Sequence, residues 1–113
     1  MTKARYPQAR IWNRFAAGYA KSPVDDPKAY QVKLDKTAAL MTPNMRVLEI
    51  GCGTGTTALH LAERVNRIDA LDFSSEMIGI AQGKAAETDA PNVAFHISTL
   101  GDWKIENGPY DIV

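Results

Sequence analysis

Five residues, Gly51-Cys-Gly-Thr-Gly55, constrain this chain more than any other stretch. Three glycines at alternate positions separate a short apolar run, Val47-Leu48 and Ile50 interrupted by Glu49, from a helical pattern. That pattern places Ala58, Leu61, Ala62 and Val65 on one face, and Asn66 stops it. The stretch therefore reads as buried strand, tight glycine turn, helix. Glycine is required where the backbone turns with positive φ, or where a ligand comes too close for a Cβ. The helix points its free N–H groups back at the turn.

Spacing separates the ligand classes. A dinucleotide turn has the form G-x-G-x-x-G and holds a pyrophosphate. Here the third glycine comes one residue early, and Thr56 occupies the last glycine's place. Glu49 would repel phosphates and suits a ligand with a positive group. An ordinary strand-to-helix turn is the bland alternative. E-x-G-x-G-x-G resembles the first motif of the class I S-adenosylmethionine (SAM) methyltransferases. Glu49-Ile-Gly-Cys-Gly-Thr-Gly55 matches it without a gap. SAM has a sulfonium, an ammonium and no phosphate, which fits the acid.

The chain has 113 residues, zero formal net charge and 45% hydrophobic residues, enough for one small domain with a core. No run reaches the roughly 18 apolar residues of a membrane span, and residues 1–20 lack the apolar centre of a secretory signal. The expectation is a cytoplasmic protein. The single Cys52 excludes an internal disulfide framework and fits a reducing compartment. Between two glycines it reads as a small residue filling a tight turn rather than a reactive thiol. Residues 1–46 hold nine Lys/Arg against three Asp/Glu, and residues 47–113 hold four against ten. A basic start can mean targeting, a membrane surface or nucleic acid. The preferred reading is a basic cap packed on an acidic half, with no membrane or nucleic-acid partner.

In chain order, residues 1–7 read as frayed. From Gln8 to Ala20, Ile11, Trp12, Phe15, Ala16 and Tyr19 form a helical stripe, expected to pack into the core. A loop over Lys21–Asp25 leads to a second helix, Pro27 to Leu40, capped by Asp26, with Tyr30, Leu34, Thr37 or Ala38, and Met41 inward. Arg67–Asp72 is the second strand. A carboxylate at its end can accept two hydrogen bonds from a ribose diol. Asp72 could instead cap the next helix, but Ser74 already offers that. The third helix spans Ser75 to Glu87, with Gly79 and Gly83 packed closely on the sheet. Val93–Ser98 is the third strand, with His96 facing solvent. Lys104–Pro109 is a polar loop.

The resemblance extends further. Trp12-Asn-Arg-Phe-Ala-x-x-Tyr19 and the second helix resemble the N-terminal cap of small-molecule methyltransferases, which implies that Tyr19 closes over the methionine end of SAM; packing alone is the alternative. Ala70-Leu-Asp-Phe-Ser-Ser-Glu-Met77 resembles the second motif, with Asp72 on the ribose and Phe73 and Met77 as the adenine wall. The family has an acid after the third strand, where this chain has Thr99 followed by Leu100, with Asp102 nearby. Thr99 could accept weakly, Asp102 could swing in, or the adenine contact could be backbone only. Tyr110-Asp-Ile-Val113 resembles the start of a fourth strand.

These readings give an α/β fold: a Rossmann-like three-layer sandwich with a parallel sheet, incomplete at the C-terminus and preceded by a helical cap. The cap is residues 1–43, and the N-terminal half of the SAM domain is residues 44–113. By resemblance the strand order is 3-2-1-4. The implied function is methyl transfer from SAM, leaving S-adenosylhomocysteine (SAH), to a small-molecule acceptor. The cofactor set is Tyr19, Glu49, Gly51, Cys52, Gly53, Gly55, Asp72, Phe73, Met77, Thr99 and Leu100. No catalytic base and no metal ligand is identified. A chain ending in a cut strand is expected to be a homo-oligomer and poor or inactive as a methyltransferase alone. A non-catalytic SAM- or nucleoside-binding module, or half of an assembly, is the alternative. An NAD-dependent oxidoreductase is disfavoured by Glu49 and Thr56.

Overall fold

In a computed structural model, the structure describes residues 6–21, 26–104 and 108–113. Residues 1–5, read above as frayed, and 22–25 and 105–107, within stretches read above as loops, lie outside them. The elements are α1 (Arg10–Lys21), α2 (Pro27–Ala39), β1 (Arg46–Ile50), α3 (Thr56–Leu61), β2 (Arg67–Asp72), α4 (Ser75–Thr88) and β3 (Val93–Ile97). Short 3-10 turns over Pro7–Ala9 and Ala62–Arg64 precede α1 and follow α3. Asp26 caps α2 by accepting from the Ala29 N–H, and Pro27 occupies the first helical position, where no N–H is needed.

The three strands are parallel, in the order β1-β2-β3. A fourth position opens beyond β1, where Ile112 forms a parallel bridge with Val47 and accepts from the Leu48 N–H at 3.0 Å. The order 3-2-1-4 is thus present, with the fourth strand as a single bridge. Val47, Ile68, Ala70 and Phe95 share one sheet face through their register. They form one core with Leu34 of α2, Ala58 and Leu61 of α3, and Ile78 and Ala81 of α4. All four residues expected inward after the glycine turn, Ala58, Leu61, Ala62 and Val65, are buried.

The cap docks differently from the expected pattern. The apolar stripe of α1 does not enter the core: Ile11, Trp12, Phe15 and Tyr19 are 59%, 46%, 55% and 55% exposed. The buried face of α1 is its small one, through Ala16, with Ala9 buried in the turn before it. This face packs on α4. Asn13 fixes the approach, its Oδ1 accepting from the Ser74 hydroxyl and from the Glu76 N–H at the start of α4. Small side chains let two helices come close, and the larger ones are left outside. Tyr6 is also not frayed. It is buried, and its hydroxyl donates to the Asp102 carboxylate at 2.8 Å. Gly79 and Gly83 do not pack on the sheet. Both are exposed, and a Cβ at either would meet nothing within 4 Å.

The opposite sheet face carries Leu48 and Leu71, both buried, and one buried acid, Asp69. Asp69 accepts from Tyr110 Oη at 2.8 Å and from Arg67 Nη2 at 3.1 Å, and His96 Nε2 lies 3.1 Å from it. Trp103 Nε1 donates to Tyr110 Oη, and its ring lies 4.5 Å from that of His96. His96 therefore does not simply face solvent. It is held between Asp69 and Trp103. Burial pushes the Asp69 carboxyl up, but the hydrogen bonds from Tyr110, His96 and Arg67 outweigh it and hold the group below its usual range. One carboxylate thus ties β2, β3 and the last residues of the chain together.

Candidate cofactor site

The glycine turn lies at the carboxyl end of β1. Gly51, Gly53 and Gly55 all have positive φ, at 72°, 57° and 82°. They serve two purposes. A Cβ at Gly55 would stand 2.6 Å from Phe95 Cζ and 3.0 Å from Ala81 Cβ, so this glycine lets α3 close on the sheet. At Gly51 nothing lies within 4 Å, and at Gly53 the nearest atom is Tyr19 Cε1 at 3.8 Å. These two leave open backbone facing outward, with the Tyr19 ring beside it. Cys52 is buried between them, and its N–H donates to Leu71 O at 2.9 Å.

Two carboxylates flank this turn. Asp72, at the end of β2, is 9% exposed. Its Oδ2 accepts from the Gly53 N–H and its Oδ1 from the Ser74 N–H, both at 2.9 Å. Each oxygen has a further lone pair, so the carboxylate can hold the turn and still accept from hydroxyls. It does not cap α4. That role belongs to Ser74, whose side chain accepts from Met77 N–H. Glu49 is half-buried on β1, and burial raises its carboxyl to about 7. Burial, with Glu49 and Asp72 nearby, also drives the Cys52 thiol far up, which keeps it protonated and unreactive.

The remaining predicted residues follow along the same sheet edge. Phe73 is half-buried just past Asp72, Met77 is buried in the first turn of α4, and Thr99 and the exposed Leu100 follow β3. The Ser98 N–H donates to Asp72 O at 3.0 Å, which fixes the exit of β3 beside that of β2. Sequence reasoning missed Asn13 and Tyr6, which bring the cap to the loops after β2 and β3. Their partners lie 61 to 63 and 96 residues away; Asn13 falls inside the quoted cap motif, but nothing in its local spacing points to α4. Among the described residues no group of three or more His, Cys, Asp or Glu could hold a metal.

The Lys84 ammonium is held by the Thr56 and Thr54 hydroxyls at the start of α3, while two carboxylates, Glu49 and Asp72, stand beside the turn and suit a cationic ligand. Only the ionised Glu49 would attract it, and raising the pH through about 7 ionises that group. Affinity for SAH, which carries an ammonium, is therefore expected to be about tenfold higher at pH 8 than at pH 6. Glu49→Gln should flatten this dependence. In the free chain the sign is opposite. A carboxyl raised in the folded state destabilises the fold as pH climbs from its unfolded value to about 7, so Glu49→Gln should stabilise the free chain above pH 7, by up to about 3 kcal/mol. Calorimetric titration and denaturant unfolding at three pH values check both halves.

The family model of the methyltransferase domain matches residues 47–113. The chain belongs to that family. A Haemophilus influenzae protein described only as uncharacterized is 34% identical over 93 residues, covering 81% of this chain and 34% of that protein. The magnesium-protoporphyrin O-methyltransferase of Rhodobacter capsulatus is 35% identical over 68 residues, covering 60% of this chain and 30% of that enzyme. Among solved structures, the DhpI–SAH complex superposes with a TM-score of 0.69 at 31% identity, over 86% of this chain and 46% of that one. The chain spans about a third of the length of the first of these curated relatives.

Proposed function

We propose that this chain is the cofactor-binding part of a cytoplasmic methyltransferase that moves the methyl group of SAM to a small-molecule nucleophile. The observation that carries this reading is the pair of carboxylates, Glu49 and Asp72, set around a positive-φ glycine turn. In this reading the methionine end lies over Gly51, Cys52 and Gly53, with its ammonium toward Glu49 and Tyr19 closing from the cap. Gly55 holds the turn in place. Asp72 accepts from the ribose diol, Phe73 and Leu100 flank the adenine with Met77 behind them, and Thr99 meets its edge. The small-molecule acceptor rests on likeness to enzymes such as the Rhodobacter capsulatus one.

SAM supplies an electrophilic methyl carbon. Bound here, it would offer that carbon to the acceptor's lone pair, with the carbon–sulfur bonding pair retained by sulfur as SAH. The chain's contribution is positioning, since a well-oriented displacement of this type needs little other assistance. Binding measured with SAH and with NAD tests the reading. SAH should bind and NAD should not, because the two carboxylates repel a pyrophosphate.

We expect the isolated chain to self-associate. Among the described residues the position beside β1 holds a single bridge at Ile112, and Trp12, Phe15, Ile50 and Val113 are exposed. Such edges and patches favour pairing. Sedimentation at micromolar concentration should give a dimer or larger species, and a sharp monomer would contradict this. No helix among the described residues is long and apolar enough to cross a membrane.

A further inference from the structure

Three side chains of the cap each reach a loop that follows a strand. Tyr19, near the end of α1, lies beside the turn after β1, where its Cε1 would stand 3.8 Å from a Cβ on Gly53. Asn13, in the first half of α1, accepts at its Oδ1 from the Ser74 hydroxyl and the Glu76 N–H after β2. Tyr6, before α1, donates to Asp102 after β3. Asn13 differs from the other two in touching a residue that holds Asp72. Ser74 is fully buried, and its N–H and hydroxyl are all engaged. The N–H donates to Asp72 Oδ1, the Oγ accepts from the Met77 N–H, and the O–H donates to Asn13. Asp72 Oδ2 in turn accepts from the Gly53 N–H. A line of hydrogen bonds thus runs Asn13–Ser74–Asp72–Gly53, from α1 to the glycine turn, and Tyr19 of the same helix stands where it ends.

α4 does not need Asn13 in order to start, because Ser74 already caps it. What Asn13 adds is a fixed place for the loop that carries Ser74. A hydroxyl has a single proton to donate, and among the described residues no buried side-chain nitrogen or oxygen lacks a partner. Removing the Asn13 oxygen would strand the buried Ser74 proton and the Glu76 N–H together. An unpaired buried donor is costly, and the loop after β2 relieves it by shifting toward another acceptor or water. Such a shift draws the Ser74 N–H off Asp72 Oδ1, and a carboxylate that has lost one of its two amides can turn. We propose that Asn13 is a positioning residue for ligand binding. Through Ser74 it fixes the rotation of the Asp72 carboxylate that presents its remaining lone pairs, so docking of α1 and affinity at Asp72 are coupled. The proposal rests on the cofactor reading above.

Calorimetry with SAH on single and double variants, together with amide exchange at Gly53, tests the proposal. Alanine is the best helix former, so Asn13→Ala should keep the fold, which circular dichroism verifies. Its SAH affinity should fall about five- to tenfold, the worth of roughly one hydrogen bond. In the Asp72→Ala background the same substitution should change affinity less than about twofold, because the group it acts through is gone. Gly53 amide exchange in the ligand-free chain should quicken in Asn13→Ala. Tyr6→Phe, which loosens the cap at the loop after β3 instead, should leave that exchange rate as it is. Asn13→Asp keeps an acceptor for both donors at a helix start that favours negative charge, and should bind within about threefold of wild type. Wild-type affinity in Asn13→Ala, an equal loss with and without Asp72, an Asn13→Asp affinity no better than that of Asn13→Ala, or a Gly53 amide that is unchanged or quickens equally in Tyr6→Phe would assign Asn13 to docking alone. Any of these overturns the proposal and leaves the cofactor reading standing. Absence of SAH binding by the folded wild-type chain would overturn both.

Discussion

Gly55→Ala is expected to cost the fold about 4 kcal/mol, whereas Gly51→Ala should cost about 1 kcal/mol. Both residues have positive φ, so each alanine meets the left-handed penalty of about 1–2 kcal/mol. Only Gly55 adds overpacking. Its new Cβ would stand 2.6 Å from the buried Phe95 ring on β3 and 3.0 Å from Ala81 Cβ on α4. Overpacking of this kind adds about 1–3 kcal/mol. A small domain has about 5–15 kcal/mol in total, so Gly55→Ala should remove a large share of the stability and lower the urea midpoint in proportion. Gly53→Val has the reverse signature. Its Cβ has only Tyr19 in ordinary contact, so valine meets the left-handed penalty of at least about 1–2 kcal/mol but no overpacking, while the branched side chain fills the space above the turn. SAH binding by that variant should drop at least about a hundredfold, on the order of 3 kcal/mol. Urea unfolding followed by circular dichroism, with SAH titration of each folded variant, separates the two kinds of glycine. Normal binding by Gly53→Val would remove the turn from the site.

The second large effect is expected at Asp72. Its carboxylate holds the Gly53 and Ser74 amides and has lone pairs to spare for a ribose. Asp72→Ala removes both functions at once, so the loss of SAH affinity should reach the upper end of the roughly 1–3 kcal/mol seen for hydrogen bonds to a charged group. Asp72→Asn should fall between. Its single carbonyl oxygen can keep one of the two amides, while its NH2 faces the other donor. The variants should also differ structurally: amide exchange at Gly53 should speed up in Asp72→Ala before global unfolding does. Equal SAH affinity for wild type and Asp72→Ala would end the ribose assignment.

Much of the local structure around the glycine turn was legible because its determinants are local. Arg67–Asp72 reads as a strand to the residue: its apolar run ends in an acid with a helix cap two positions later. Asp26-Pro27 marks the start of α2 for the same reason. The glycine spacing and Glu49 carried the distinction between phosphate and cation. What was not legible depends on partners far away in the chain. The periodicity of α1 identifies an apolar face but not what covers it, and the helix docks instead through Ala16 and Asn13. Alternation places His96 on the second face of the sheet. It cannot say that Trp103 and the Tyr110–Asp69 bond close over that face. Gly79 and Gly83 suggested close packing, yet α4 meets the sheet through Ile78 and Ala81 on another side. Nothing near Tyr6 in sequence signals that it reaches Asp102.

The central claim is spatial: one adenosyl ligand lies along the carboxyl edge of the three strands. Titrating 15N-labelled chain with SAH and following the amide resonances tests it most directly. The largest shifts should fall on residues 49–55, on Asp72 to Ser74 and on Thr99 and Leu100, and saturate together at one ligand per chain. The opposite end of the sheet carries a groove between Glu63, Arg64, Asp89 and Asn92. Shifts that gather there, with the glycine turn and Asp72 unmoved, would contradict the account.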